Sequence, residues 1–109
     1  MGSAVGAIRH HAAMEFTFTA PLWRWTGDSG WHFISLPQDV ADDIEDSAAE
    51  RAGFGSVRVQ VVVGSSTWST SIFPDKGRAT FLLPVKKPIR LREQLDEGDV
   101  VLVHLTVPN

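Results

Sequence analysis

Apolar and polar residues alternate along several short segments of this chain, and this period of two is the feature that most restricts its fold. From Val57 to Val63 a valine occupies every second position, with Arg58 and Gln60 between them. Residues 99–107 repeat the spacing, with an apolar residue at 101, 103, 105 and 107. Alternation of this kind predicts β-strands that bury one face and expose the other.

Four further segments, 15–20, 31–36, 67–73 and 78–83, have strand character. Gly, Ser, Asp and Pro mark turns at 25–30, 64–66 and 74–77. Pro21 predicts the end or the edge of the first strand, since proline cannot donate to a sheet. Many short strands in one chain of 109 residues predict a closed or nearly closed barrel.

Two segments have helical rather than strand character. Residues 37–52 begin with a proline and repeat an apolar residue every fourth position, which predicts a helix that ends at Gly53 and Gly55. A shorter helical turn is predicted over 88–95. Residues 1–13, with the adjacent His10 and His11, are predicted to be a flexible tail, and 14–109 a single domain.

Composition excludes several classes of protein. The chain contains no cysteine, so it has no disulfide, no thiolate nucleophile and no cysteine-bound metal. The absence of a long apolar run predicts no membrane span, and the absence of a secretory signal predicts a cytoplasmic protein. No phosphate loop, dinucleotide fingerprint or metal-ligand spacing is present, so we expect no cofactor and no metal.

The sequence also repeats one plan. Residues 31–37 end in Leu36-Pro37 and residues 78–84 end in Leu83-Pro84. Each segment is followed by a helical stretch, a glycine turn and a valine-rich strand. Because neither half could bury its apolar face alone, the repeat predicts a barrel with pseudo-twofold symmetry.

These residues carry a resemblance to known families. Leu83-Pro84, Arg90, Leu95 and Gly98-Asp99-Val100-Val101 resemble the strand–proline–helix–Gly-Asp–strand plan of AbrB-type swapped-hairpin domains. Over residues 15–107 the chain resembles more specifically the domain of unknown function 1905 family, through the segments 31–37, 55–59, 70–71, 84–90 and 98–99. That bacterial and archaeal family consists of small single-chain barrels, and its biochemical role is not settled.

The resemblance and the repeat together define the expected fold class. We predict a mainly β protein, a small closed double-split β-barrel with an internal pseudo-twofold repeat, one acidic α-helix and one short helical turn.

Charge is segregated along the chain. Residues 38–50 carry six acidic side chains and no basic one, whereas residues 76–92 carry six basic side chains and no acidic one. The basic run could bind an anion, such as a nucleic acid or a phosphorylated ligand, or dock on the acidic helix of a second copy. The alternative is two solvated faces, whose exposed ion pairs would contribute about 1 kcal/mol each at most.

The two halves differ in charge in a way that bears on DNA binding. When Pro37 is aligned with Pro84, Asp39 corresponds to Lys86 and Asp43 to Arg90. A symmetric DNA-binding surface needs basic residues in both halves. Symmetric recognition is therefore disfavoured, and only a weak, one-sided nucleic-acid contact is compatible with the sequence.

The four tryptophans are the remaining candidates for a binding surface. Trp31 and Trp68 lie within predicted strands, and we expect them in the core. Trp23 and Trp25 flank a predicted turn and are the better candidates for a platform on which a ligand could stack.

Three functional hypotheses follow. The first is a non-catalytic binding or interaction module, with ligand-binding or anion-binding candidates Lys86, Lys87, Arg90, Arg92, Trp23 and Trp25. The second is a small enzyme with a pocket at the barrel mouth and His32 as general base, which requires a carboxylate beside His32. The third is a structural homo-oligomer. The sequence leaves the ligand and the choice between monomer and oligomer open.

Overall fold

The computed structural model describes residues 13–27, 29–48 and 55–108. Within these ranges the chain forms the following strands and helices, in order: β1 (Met14–Arg24), β2 (His32–Ser35), α1 (Gln38–Ala48), β3 (Val57–Val63), β4 (Ser66–Asp75), β5 (Thr80–Pro84), α2 (Lys87–Glu93) and β6 (Val100–Val107). Residues 1–12 of the predicted tail, Asp28 and the predicted end of the long helix at 49–54 lie outside the described residues.

The strands close into one antiparallel barrel in the order β1-β2-β5-β4-β3-β6. A long ladder joins β1 to β6, from Met14 opposite Val107 to Pro21 opposite Val100. Every described strand has two neighbours, so closure leaves none of them as an open edge. The predicted mainly β closed barrel is confirmed.

The internal repeat is confirmed as pseudo-twofold symmetry of the barrel. Exchanging β1 with β4, β2 with β5 and β3 with β6 reproduces the same circular strand order. Between β2 and β5, Ile34 lies opposite Leu83 and Ser35 opposite Leu82. Leu36-Pro37 and Leu83-Pro84 each lead out of one of these two strands towards a helix, as equivalent corners do.

Pro21 lies inside a strand rather than at its end, and here the prediction was wrong. Pro21 is the last residue of β1 that pairs with β6, and Leu22 is the first that pairs with β2. The Leu22 backbone N–H donates to the Asp99 carbonyl oxygen at 2.8 Å. The missing N–H of Pro21 therefore falls where β1 changes partners, and neither ladder is interrupted.

The core consists of the side chains that the alternation places on the inner face of the barrel. On β3 the four alternate valines, 57 to 63, are all buried, and on β6 residues 101, 103, 105 and 107 are buried in the same way. Helix α1 adds Val40, Ala41 and Ile44 to this core. The predicted apolar stripe of α1 is confirmed at Val40 and Ile44, whereas the side chain of Ala48 and the whole of Ala52, its two other predicted positions, lie outside the described residues.

The prediction that Trp31 and Trp68 lie in the core is wrong for Trp31. Trp31 is 57% exposed, and Trp68 is half-buried and packs against the core. Trp31 precedes β2, and its ring stacks on Phe33, with centroids 5.9 Å apart. Phe33 is itself buried against the indole rings of Trp23 and Trp25, on the outside of the barrel. The alternation placed Trp31 and Phe33 on the same face, but it did not show whether that face points into the barrel or away from it.

The β2–β5 pairing predicts a large stability difference between an inner and an outer side chain. Ile34 is fully buried, so Ile34→Ala should lower the free energy of unfolding by about 2–5 kcal/mol through lost burial and a residual cavity. Leu102→Ala, at a side chain that is 52% exposed on β6, should cost about 0.5 kcal/mol or less. Urea unfolding measures both values, and equal losses would contradict this placement of β2.

Candidate functional site

The segment that carries the basic residues is fixed where β5 ends. The Val85 side chain is buried, and its backbone N–H donates to the His32 carbonyl oxygen at 3.0 Å. Lys86 is extended and precedes α2, and Pro88 occupies the first turn of this helix, where its missing N–H leaves no hydrogen bond unmade. Strand pairing therefore brings Lys86 and Lys87 beside the start of β2.

A cavity of about 410 Å³, which we call the basic cavity, lies at this junction. The three predicted cations Lys86, Lys87 and Arg90 all line it. The remaining lining residues are Ser29, Gly30, Trp31, His32, Pro84 and Val85. The described residues thus surround this space with three cationic groups, an imidazole and an indole, and they place no carboxylate in its lining.

Residues 18–105 match the family model described as Domain of unknown function (DUF1905). The chain belongs to this family. The match extends from β1 into β6, so it includes the whole basic cavity. No curated protein matches this DUF1905 domain.

Arg90 of the DUF1905 domain is held in place by the backbone that precedes its helix. Its Nη1 donates to the Val85 carbonyl oxygen at 2.7 Å, and the side chain is half-buried. This hydrogen bond uses one of the five N–H donors of the guanidinium group. The bond fixes the positive charge at the wall of the basic cavity.

His32 is oriented by a backbone carbonyl. Its Nδ1 lies 2.7 Å from the Gly30 carbonyl oxygen, which can only accept, so Nδ1 is the donor in this pair and Nε2 is the nitrogen left for another partner. The enzyme hypothesis required a carboxylate beside His32 in a cavity. His32 does line the basic cavity, but the described lining residues supply no carboxylate.

Arg92 lies on the same helix but outside the lining of the basic cavity. Its Nη1 is 3.4 Å from the Ser66 hydroxyl oxygen, beside Glu93. Of the four basic candidates, the structure thus brings Lys86, Lys87 and Arg90 together and places Arg92 elsewhere.

Trp23 and Trp25 form part of an aromatic cluster with Trp31 and Phe33. The rings of Trp23 and Trp25 are 5.7 Å apart, and the Arg78 guanidinium carbon lies 4.3 Å from the Trp23 ring centroid. The Trp23 indole N–H also donates to the Ser35 hydroxyl at 2.9 Å. The Trp23 ring is therefore occupied by contacts within the protein.

A second cavity of about 270 Å³, the aromatic cavity, is lined by Trp25, Ser29, Trp31 and Phe33. It shares Ser29 and Trp31 with the basic cavity. Sequence reasoning missed Trp31 as a site residue because it placed this side chain in the core. The available signal was the repeat, which pairs β2 with β5 and so brings Trp31-His32 next to Val85-Lys86.

Glu93 anchors the other end of α2 to the turn between β3 and β4. The Ser66 hydroxyl donates to its Oε2 at 2.5 Å and the Ser65 hydroxyl at 3.0 Å. The hydrogen bond from Ser66, followed by those from Ser65 and the charge of Arg92, lowers the pKa of Glu93 below its ordinary value of 4.5 although partial burial opposes the shift. A Cβ at Gly64, whose φ is +59°, would collide with this carboxylate.

Two further observations concern other kinds of site. No helix in the described part of the chain is long and apolar enough to cross a membrane. Across residues 13–27, 29–48 and 55–108, no three histidine or carboxylate side chains come together as a metal-ligand set.

The lowered pKa of Glu93 predicts a pH-dependent contribution to stability. A carboxyl group with a lowered folded-state pKa stabilises the fold above its unfolded value of 4.5 and loses that contribution as the pH falls through the folded value. Glu93→Gln should therefore destabilise the protein at pH 7, and its difference from wild type should shrink as the pH falls below 4.5.

Thermal unfolding over a pH series measures this difference. Glu97→Gln, at an exposed carboxylate, removes the same charge and is the control. If the stability difference between Glu93→Gln and wild type stayed constant down to the lowest pH at which the protein folds, the ionised carboxylate would be ruled out as its cause.

Proposed function

We propose that this DUF1905 domain is a non-catalytic binding module that binds an anionic group in the basic cavity. The observation that carries the proposal is the convergence of Lys86, Lys87 and Arg90 on one cavity whose described lining contains no acidic residue. Small-molecule sites in proteins are concave and combine a few positioned polar groups with apolar walls. Pro84 and Val85 supply apolar surface here.

The electrostatics favour an anionic ligand. Among the described residues the only ion pair joins Arg78 to Asp75 at 2.8 Å, so the three cavity cations have no carboxylate partner there. Like charges in one cavity repel each other, and a concave wall concentrates their field. An anion would relieve this repulsion and gain charge-assisted hydrogen bonds from the same groups.

The asymmetry of the barrel supports a single site. In the sequence repeat, Asp39 of α1 corresponds to Lys86, and Asp43 to Arg90. Both of these aspartates are exposed on α1. Pseudo-twofold symmetry therefore relates the basic site to an acidic surface, and we expect one anion per chain rather than a symmetric pair. A paired DNA-reading surface is disfavoured on the same ground.

The proposal predicts that charge reversal weakens anion binding. Lys86→Glu with Lys87→Glu should weaken the binding of inorganic pyrophosphate at least about tenfold, because one hydrogen bond to a charged group contributes about 1.5–3 kcal/mol. Both side chains are exposed, and a glutamate at position 87 lies at the favourable end of α2, so the fold should survive.

Nuclear magnetic resonance titration with pyrophosphate measures the affinity, and unfolding curves check the fold. Arg58→Glu with Lys76→Glu makes the same change in net charge at exposed positions outside the basic cavity and is the matched control. Wild-type affinity should also fall as ionic strength rises from about 0.01 to 0.15 M. Equal losses in both double variants, or no binding by the wild type, would refute the proposal.

A further inference from the structure

The basic cavity and the aromatic cavity adjoin each other at Trp31. Both are lined by this residue and by Ser29, and together they present cations on one side and ring faces on the other. A ligand that extends past Trp31 from one cavity to the other would meet the two kinds of surface in sequence. The arrangement therefore bears on the chemical class of the ligand as well as on its charge.

We propose that the ligand contains a planar aromatic ring as well as an anionic group, and that this ring stacks on Trp31. Nucleotides and aryl phosphates have this chemistry. The inference rests on the proposed anion site and adds the substrate class of the same site.

The geometry of Trp31 supports a stacking role. One side of its ring lies on Phe33, with centroids 5.9 Å apart and planes inclined by 25°. Since Trp31 is nevertheless 57% exposed, much of its remaining surface faces solvent. A large apolar ring left open beside cationic groups is the arrangement that a stacked aromatic anion would cover.

The Trp31 ring rests on a fixed base. Phe33 is only 9% exposed and is enclosed by Trp23 at 5.3 Å and Trp25 at 5.9 Å between ring centroids. Trp23 is held in turn by its hydrogen bond to Ser35. A stacking surface supported in this way loses little side-chain freedom when a ligand binds.

The same cluster favours a small ligand over a nucleic-acid strand. Proteins that bind single strands stack successive bases on several aromatic rings. Here the Arg78 guanidinium carbon lies 4.3 Å from the Trp23 ring centroid and 5.4 Å from that of Trp25. Trp31 is then the ring best placed for stacking, which suits one aromatic group. The basic cavity, with a volume of about 410 Å³, is also of the size that small molecules occupy.

Two pairs of probes separate the ring from the anion. Adenosine 5′-monophosphate is compared with ribose 5-phosphate, and phenyl phosphate with cyclohexyl phosphate, so that each pair shares a phosphate and differs in an aromatic ring. Affinities are measured by titration of the tryptophan indole N–H resonances. The Trp31 resonance is identified as the one missing from the Trp31→Leu spectrum.

We expect the aromatic member of each pair to bind about tenfold more tightly to the wild-type protein. Trp31→Leu should remove this advantage and leave the affinity for ribose 5-phosphate unchanged, and Trp31→Phe should restore part of it. Phe73→Leu, at an exposed aromatic residue that lines neither cavity, should have no effect.

Each outcome decides between the two proposals. Equal affinities within both pairs, or an advantage that persists in Trp31→Leu, would overturn the aromatic ligand class and leave the anion site standing. Failure of every phosphate to bind would refute both. An oligothymidylate of about ten nucleotides that binds far more tightly than adenosine 5′-monophosphate would show a strand-binding surface and overturn the small-ligand assignment.

Discussion

The pairing of β2 with β5 is the contact on which the rest of the structure depends. Ile34 and Leu83 face each other in this ladder, and both are fully buried. At its two ends the Leu36 N–H donates to the Phe81 carbonyl and the Val85 N–H to the His32 carbonyl, each at 3.0 Å. The ladder joins the two halves of the repeat, neither of which could bury its apolar face alone. Closure through β3 and β6 then completes the barrel.

The same ladder builds the candidate site. The hydrogen bond between Val85 and His32 places the basic segment after β5 next to the residues that begin β2. Helix α2 is held at both ends, by Arg90 on the Val85 carbonyl and by Glu93 on Ser65 and Ser66. Lys86, Lys87 and Arg90 therefore line one cavity, and none of them has a carboxylate partner among the described residues. The proposed anion site thus lies where the two halves of the repeat differ in charge.

The sequence predicted the elements better than it predicted the surfaces. Alternation in 57–63 and 99–107 identified strands because each buries one face, and the Leu-Pro repeat identified the symmetry. The prediction that Pro21 marks the end or the edge of the first strand was wrong because a closed barrel lets a strand change partners at a proline. The prediction that Trp31 lies in the core was wrong because local periodicity assigns residues to a shared face without showing whether that face points inward. The proximity of His32 to Lys86 could not be predicted from the local sequence, since it arises from pairing between strands far apart in the chain.

Nuclear Overhauser effects across the β2–β5 ladder show whether the two halves of the repeat meet there. Ser35 and Leu82 lie opposite each other between hydrogen-bonded pairs, where α-carbons approach to about 4.5 Å. We expect a strong Hα–Hα contact between these two residues, together with slow hydrogen exchange at the Val85 amide. Absence of that contact with a Val85 amide that exchanges as fast as one in an open turn would mean that the halves do not meet here, and both the barrel and the basic cavity would have to be abandoned.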